Sequence, residues 1–475
     1  MIKEKSVIKA RRVDGNRRRR RIALALSVVT GSATISFATA SGVASASTKH
    51  VTITLAASQT YIFDTAALNA RYYTALKSEF QKEHPGVTLQ IENLPGSYQD
   101  ILNKLALLYR SPSTAPDVAQ FGGTANALFA SSGYLAPLNS YLQSASWWKQ
   151  VPPEVQRLGT YNGNVYSVSQ GFNSSAMVYN EKMFRKAGIP VPWHPKSWAD
   201  IISAAKKLKA ALPGVIPLWL FAGTSLGSSG LLQGGLANFI AGSSTPTIYD
   251  SATKKWVVDS PGIRQALELW QECFADGLGA PSSDLFSSGS NSLPPTLFKE
   301  GKLAMAGGIN FWPGMWTKLV SAPYWKQAAQ TMGVTPIPTV GGQGANVAST
   351  LSSWNLGVAK SSPHRKLAFD LISLMEQGQN MIDSSNWIGW IPPEKGDWAA
   401  PGYANFAPYN KLFGQIALSA TVTPTGPGFE KWAQGLEEAT GLFVQNPKAT
   451  VSQAIQLEKS FITEQLGASK VETLK

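Results

Sequence analysis

Hydrophobic and polar positions alternate at the start of the globular part of this chain and then change period. Val51-Thr52-Ile53-Thr54-Leu55 alternates and predicts a strand. The segment from Tyr72 to His84 has helical spacing and is stopped by Pro85-Gly86. Val87 to Ile91 predicts a second strand. From Tyr98 to Tyr109, apolar residues recur at Ile101, Leu102, Leu105 and Leu108, the spacing of one helix face. Ala115 to Phe121 then reads as a buried strand. Strands alternating with helices imply an α/β fold whose sheet is parallel and covered on both faces.

Further along, Tyr161-Asn162-Gly163-Asn164 predicts a turn leading into an alternating strand. Val178-Tyr179-Asn180 follows, then a basic amphipathic helix ending at Gly188, a Pro-rich turn and a second helix starting near Ser197. Helical spacing returns between Thr450 and Phe461. There is no internal repeat, and the one compositionally biased tract is the Ser/Gly-rich Ser282 to Ser292.

The amino terminus is a separate object. Arg17 to Arg21 form a positive cluster, Ile22 to about Ala40 is apolar, and Ala44-Ser45-Ala46 is a small-x-small site. This is the layout of a secretory signal peptide over residues 1–46, with cleavage expected after Ala46 and an uncleaved membrane anchor as the alternative. The signal carries much of the charge. Residues 1–46 hold ten Lys/Arg and two Asp/Glu, so 32 basic and 27 acidic residues remain, and the net charge falls from +13 to +5. No basic stripe with interleaved aromatics survives to suggest nucleic acid. Low carboxylate density is compatible with an acidic external medium. Cys273 is the single cysteine, which excludes an intramolecular disulfide and leaves none beside Ala46 for a lipid anchor.

Enzyme motifs are sparse. His50, His84, His194 and His364 have no zinc-ligand spacing. One G-x-S-x-G match, Gly223 to Gly227, lacks the downstream acid and histidine order that a nucleophile elbow needs, so it reads as a Gly/Ser loop. Paired carboxylates that meet across the fold stay open as a possibility.

Ordered motifs instead carry a resemblance. Tyr179-Asn180, Phe184, Lys186-Ala187-Gly188-Ile189-Pro190 and Ser197-Trp198-Ala199-Asp200 occur in sequence. Phe80 with His84-Pro85-Gly86-Val87, Pro116-Asp117-Val118, Gly133 to Leu138, Phe298 to Met305, Pro336-Ile337-Pro338 and Ser353 to Val358 extend the pattern. The chain resembles the family 1 extracellular solute-binding proteins, the maltose/oligosaccharide-binding type that serves bacterial ABC importers, over about Val51 to Pro393.

The resemblance implies a two-lobed periplasmic-binding-protein fold, type II-like, with discontinuous lobes joined by a hinge. The crossings are expected near Ser169 to Asn173 and near Ser349 to Ser353, with a return close to Ala400. The amino-terminal lobe is then 47–170 with 354–400, and the carboxy-terminal lobe 171–353 with 401–475. It also implies an exported protein, periplasmic or at the cell surface, that acts as a monomer and needs no cofactor, metal or catalytic residue. Its partners are a neutral mono- or oligosaccharide and the transmembrane permease subunits. A glycerol phosphodiester or peptide is the alternative ligand. A secreted carbohydrate-active enzyme, or an adhesin without a transporter, is the alternative class.

Aromatic residues are the richer chemical signal, with 15 Trp, 14 Tyr and 19 Phe. A sugar ring offers apolar C–H faces to an aromatic plane and a hydroxyl rim to amides and carboxylates. Three predicted loops combine these types: Asn310-Phe311-Trp312, Ser353-Trp354-Asn355, and Asn386-Trp387-Ile388-Gly389-Trp390. Trp312 matches the position where the family stacks a tryptophan on sugar. Loops at strand carboxyl ends add Ser58 and Gln59, Tyr98 and Gln99, Gln120 with Gly122, and Gln170 to Asn173, while Trp219 and Phe221 precede a Gly-rich loop. Trp147, Trp148, Trp198 and Trp270 read as packing or surface residues. Few acidic or basic residues fall in these loops, which argues for an uncharged polyol.

Overall fold

Two sheets with separate cores organise the chain in a computed structural model that describes residues 50–58, 66–96, 98–317, 324–342, 347–424 and 426–475. The signal segment and Gln59 lie outside these residues. The first sheet runs in the order Thr421–Val422, Thr350–Val358, Val118–Gly122, Val51–Ser58, Val87–Leu94, with Ser167–Asn173 also paired to Thr350–Val358. Val51–Ser58 lies parallel to both of its neighbours, with Leu55 opposite Val118. Thr350–Val358 runs antiparallel to Val118–Gly122 and to Ser167–Asn173, so the sheet is mixed where a parallel one was expected. The helices Ala66–Glu83 and Arg365–Met375 bury Leu76, Phe80, Leu371 and Ile372 in the same core as Ile53 and Leu356.

The second sheet is ordered Met332–Thr335, Ser175–Asn180, Leu303–Ile309, Ile216–Trp219. Local chemistry explains the motif residues that surround it. The Asn180 carboxamide accepts from the Lys182 and Met183 amides and so caps the short helix Glu181–Lys186. Gly188 ends that turn at φ 68°. Asp200 accepts from the Lys196 and Ser197 amides at the start of Trp198–Ala211, and the Trp198 indole donates to the Pro338 carbonyl. The Trp193 amide donates to the Tyr179 hydroxyl, closing the Pro-rich turn onto the sheet.

The chain passes from the first sheet to the second at Ser174, between strands ending at Asn173 and starting at Ser175. It returns at Ser349, just before Thr350–Val358. The two crossings touch: the Ser175 amide donates to Ser349 Oγ at 3.0 Å. Asn310 accepts from the Ser174 amide at 3.1 Å and donates to the Gly389 carbonyl at 2.7 Å. Asn238 accepts from the Thr350 amide at 2.8 Å.

Near Ala400 the cores divide the chain differently from the expected 401–475. Phe413, Ile416, Ala417 and Ala420 pack into the first lobe's core, and Thr421–Val422 joins its sheet. Asn410–Ala417 buries Phe413 and Ile416 in the core shared with Phe172 and Leu351 of the first sheet and Ala176 beside the crossing. Phe429, Trp432 and Leu436, by contrast, belong to the second lobe's core.

Candidate functional site

A cavity of about 640 Å³ opens between the lobes, within the size range of small-molecule sites. The first lobe contributes Tyr98 at the start of helix Tyr98–Leu108, and Thr124 in the turn after strand Val118–Gly122. The second contributes Thr224 to Ser228 after strand Ile216–Trp219, together with Phe429, Glu430, Gln434 and Glu437 on the helix Phe429–Gln445. These loops sit at strand carboxyl ends, where α/β sheets bind ligands.

A directed hydrogen-bond chain joins the two walls. Thr124 Oγ1 donates to Glu430 Oε1 at 3.0 Å. Its one proton is then committed, so the Tyr98 hydroxyl, 2.5 Å away, donates to Thr124. Burial holds the Tyr98 phenol well above its ordinary value, Glu430 raises it further and the Thr124 bond offsets part of this. Burial also raises the Glu430 carboxyl, against the lowering effect of the Ser228 and Thr124 hydroxyls. Glu437 is 3% exposed, and neither of its oxygens has a hydrogen-bond partner. Burial pushes its carboxyl well above the carboxylate range, Glu430 adds to this, and the Leu231 amide, near but outside hydrogen-bonding geometry, offsets a little.

An aromatic wall stands behind Tyr98. The ring of Tyr98 meets Trp354 edge-on at 5.8 Å, and Trp354 stacks on Trp390 at 6.1 Å with planes 20° apart. Trp354 is half-buried, and Trp390 is buried beneath it. Two glycines make room. A Cβ on Gly122 would sit 2.5 Å from the Tyr98 ring, and one on Gly171 would sit 2.6 Å from Trp390. Gly122→Ala is therefore expected to displace Tyr98 and break its bond to Thr124, with about 1–3 kcal/mol lost in urea unfolding. Unchanged stability together with unchanged tyrosine fluorescence would show that the ring is not held as described.

The polar residues expected from the strand ends form a buried ladder. The Ser58 amide donates to Gln120 Oε1 at 2.9 Å, and Gln120 Nε2 donates to Gln170 Oε1 at 2.5 Å. Gln170 Nε2 and Asn173 Oδ1 stay buried without partners. Asn310 serves the crossing instead of a ligand loop.

Several expectations are corrected. Trp312 and Trp219 are fully buried in the second lobe's core. Trp312 packs against Phe298, Phe221 and the Gly308 backbone, which leaves no face for a sugar. Asn355 is internal scaffolding: it donates to the Leu158 carbonyl and Ser167 Oγ and accepts from Ser353 Oγ. Trp387 packs against the first lobe's core, edge-on to Tyr72 at 5.6 Å. The G-x-S-x-G loop lines the cavity, but Ser225 Oγ donates to the Leu285 carbonyl and has no histidine beside it.

Thr124, Gln434, Glu430 and Glu437 were not anticipated. The available signal was an acid inside an apolar helix stripe. Glu437 follows Trp432, Ala433 and Leu436 on a face that has every reason to be buried.

Comparison with known proteins agrees with this architecture. A putative binding protein of Brucella abortus is 23% identical over 374 residues, covering 78% of this chain and 83% of its own. The maltose-bound MalE3 of T. maritima superposes over 88% of this chain and 100% of its own, at a TM-score of 0.69 and 17% identity. The sugar-binding protein MalE of Xanthomonas citri does so over 87% and 96%, at 0.71 and 20%. These likenesses show a shared two-lobed fold. Residues 66–379, well over half of the chain, match the model of one family. With its two sheets, doubled crossing and inter-lobe cavity, the chain belongs to the bacterial extracellular solute-binding proteins.

Proposed function

We propose that this protein captures a mono- or oligosaccharide between its lobes and delivers it to the membrane permease of an ABC importer. The observation that carries the reading is the cavity itself: the Tyr98 ring, backed by Trp354 and Trp390, beside a rim of hydroxyl, amide and carboxylate groups. That pairing suits a ring with apolar faces and a polar edge. The maltose bound by the T. maritima protein and the sugar-binding character of the X. citri protein point the same way. Delivery follows from closure. A solute held by both walls adds to the Thr124–Glu430 bond in favouring the state in which the lobes meet, and the permease reads that state. The protein is exported, works as a monomer and releases its solute unchanged.

A phosphate-bearing solute fits less well, because the exposed Lys431 is the one cationic residue among those lining the cavity. Two carboxylates in a cavity also raise the glycosidase reading. Residues seven apart on one helix are about 10 Å apart along its axis and share one wall. A glycosidase instead needs its acids flanking the scissile bond.

The test is a thermal-shift screen against mono- and oligosaccharides, followed by long incubation. A ligand that binds only the folded chain raises the melting temperature, by an amount that grows with concentration. A shift with one sugar class and no product is the expected result. Turnover would replace this reading with an enzyme, and silence across the panel would end the carbohydrate assignment.

A further inference from the structure

We propose that a second cavity, walled by one hairpin from each lobe, binds an anionic saccharide: a sugar ring that carries a carboxylate or a phosphate ester. It is a separate site from the one argued above, and the two readings stand or fall independently.

This cavity has a volume of about 650 Å³, in the range of small-molecule sites. One wall is the hairpin of Thr160–Tyr161 and Asn164–Val165, which follows Leu158 of the first lobe's core. The other is the hairpin of Tyr249–Asp250 and Lys255–Asp259, whose Trp256 and Val257 belong to the second lobe's core. Gly426 and Gly428 line both this cavity and the first. A solute that touches both hairpins therefore favours the lobe arrangement seen here.

Two half-buried tyrosines supply the ring faces, Tyr161 from the first lobe and Tyr249 from the second. Burial raises the Tyr249 phenol above its ordinary value and the Tyr161 phenol adds to this, so the two hydroxyls are neighbours. The Tyr249 ring is held from behind. It packs on the buried Trp256 at 4.6 Å, and the Trp256 indole donates to the Pro427 carbonyl at 2.9 Å. A Cβ on Gly426 would sit 3.0 Å from the Tyr249 ring, so the backbone itself supports it. A platform fixed in this way loses little freedom when the C–H face of a sugar settles on it.

The charge of the lining has one sign. Lys254 and Lys470 line the cavity, and among the described residues no acid does. Neither lysine is in an ion pair among the described residues. Both are exposed, so their ammonium groups stay charged and free to turn onto a ligand. Lys254 also holds a left-handed backbone, at φ 57°. That conformation is uncommon for lysine, and such residues gather at ligand clamps. Asn162 and Gln465 add amides for ring hydroxyls. A neutral sugar would use the tyrosines and amides and leave both ammonium groups idle. An anion engages them through charge-assisted bonds, about twice as strong as neutral ones.

Titration calorimetry on the full chain at pH 7 and low salt tests this with matched pairs: glucuronate and glucose, galacturonate and galactose, glucose 6-phosphate and glucose. At least one anionic member is expected to bind tenfold or more tighter than its neutral partner. Which of them binds separates a carboxylate from a phosphate ester. In the double variant Lys254→Gln/Lys470→Gln the affinity for that anion should fall at least tenfold. Both positions are exposed, so the fold is expected to survive, and a melting curve checks it. Equal binding of every anion and its neutral partner overturns the inference. An anion whose affinity is unchanged in the lysine variant also overturns it, by placing the anion elsewhere. Either result leaves the neutral-sugar response of the thermal screen as it stands.

Discussion

Trp354→Ala is expected to weaken solute binding by about thirtyfold or more while leaving the fold intact. The ring is half-buried, so removing it costs less core than a fully buried tryptophan would. Its functional weight is larger. It stands outside the cavity's lining and acts through Tyr98, which it touches edge-on while stacked on Trp390 behind. Anchoring aromatics of this kind contribute about 2 kcal/mol or more each to recognition, and 1.4 kcal/mol corresponds to a tenfold change. Trp390→Ala would be a poorer experiment. Trp390 is 3% exposed and packed against Gly171, so its loss mixes binding with a core defect. Calorimetry on Trp354→Ala, with a melting curve beside it, separates the two. Affinity within threefold of the parent would show that Tyr98 holds the solute without this support.

Thermal stability is expected to be highest in mild acid and to fall as the pH approaches neutrality. Glu376, Glu437 and Glu458 are each 3% exposed or less, and all six of their oxygens lack partners. Burial raises all three carboxyls well above the carboxylate range. Glu394 adds to Glu376, Glu430 to Glu437 and Asp259 to Glu458, while Arg264 partly offsets the last. Glu394 itself is pushed up to about 7, by burial and then by Asp397. A raised folded-state value means that the native protein keeps its proton at a pH where the unfolded chain has lost it. The stability is complete below the ordinary glutamate value near 4.3 and drains away as the pH rises through the raised values. Each such group contributes up to about 1.4 kcal/mol per pH unit over its window. Melting curves between pH 4.5 and 8 should therefore descend, and Glu376→Gln should flatten the descent. A melting temperature that climbs steadily to pH 8 would refute the account. Low carboxylate density and protonated interior acids then point to the same acidic surroundings.

Alternation and helical spacing located the strands Val51–Ser58, Val87–Leu94 and Val118–Gly122 because each pattern records which side faces a core. The motifs around Asn180, Gly188, Ser197 and Asp200 were legible for the same local reason: caps and turns are made by the residues that show them. Side-chain destination is a tertiary matter. Nothing in Asn310-Phe311-Trp312 announces that Phe298 and Gly308 will enclose the indole. Nothing near Ala400 reveals that Asn410–Ala417 packs into the first lobe's core. The acids of the cavity were missed because loops were searched for ligands, while Glu430 and Glu437 sit on a helix. Trp354 and Trp390 stood out in the sequence because they are aromatic residues in loop-like segments, and they stack together behind Tyr98.

The paired crossings have a mechanical consequence. A single strand between two bodies permits bending, twisting and shear alike. Ser174 and Ser349 lie side by side, pinned by the Ser175 amide and held from the second lobe by Asn310 and Asn238. Two straps fixed edge to edge, with a third connection between Thr421–Val422 and Phe429–Gln445, resist torsion and sliding and leave one compliant axis, as on a book bound along its spine. Random jostling by solvent is thereby filtered into a single coordinate. Whatever lies downstream has only one angle to measure.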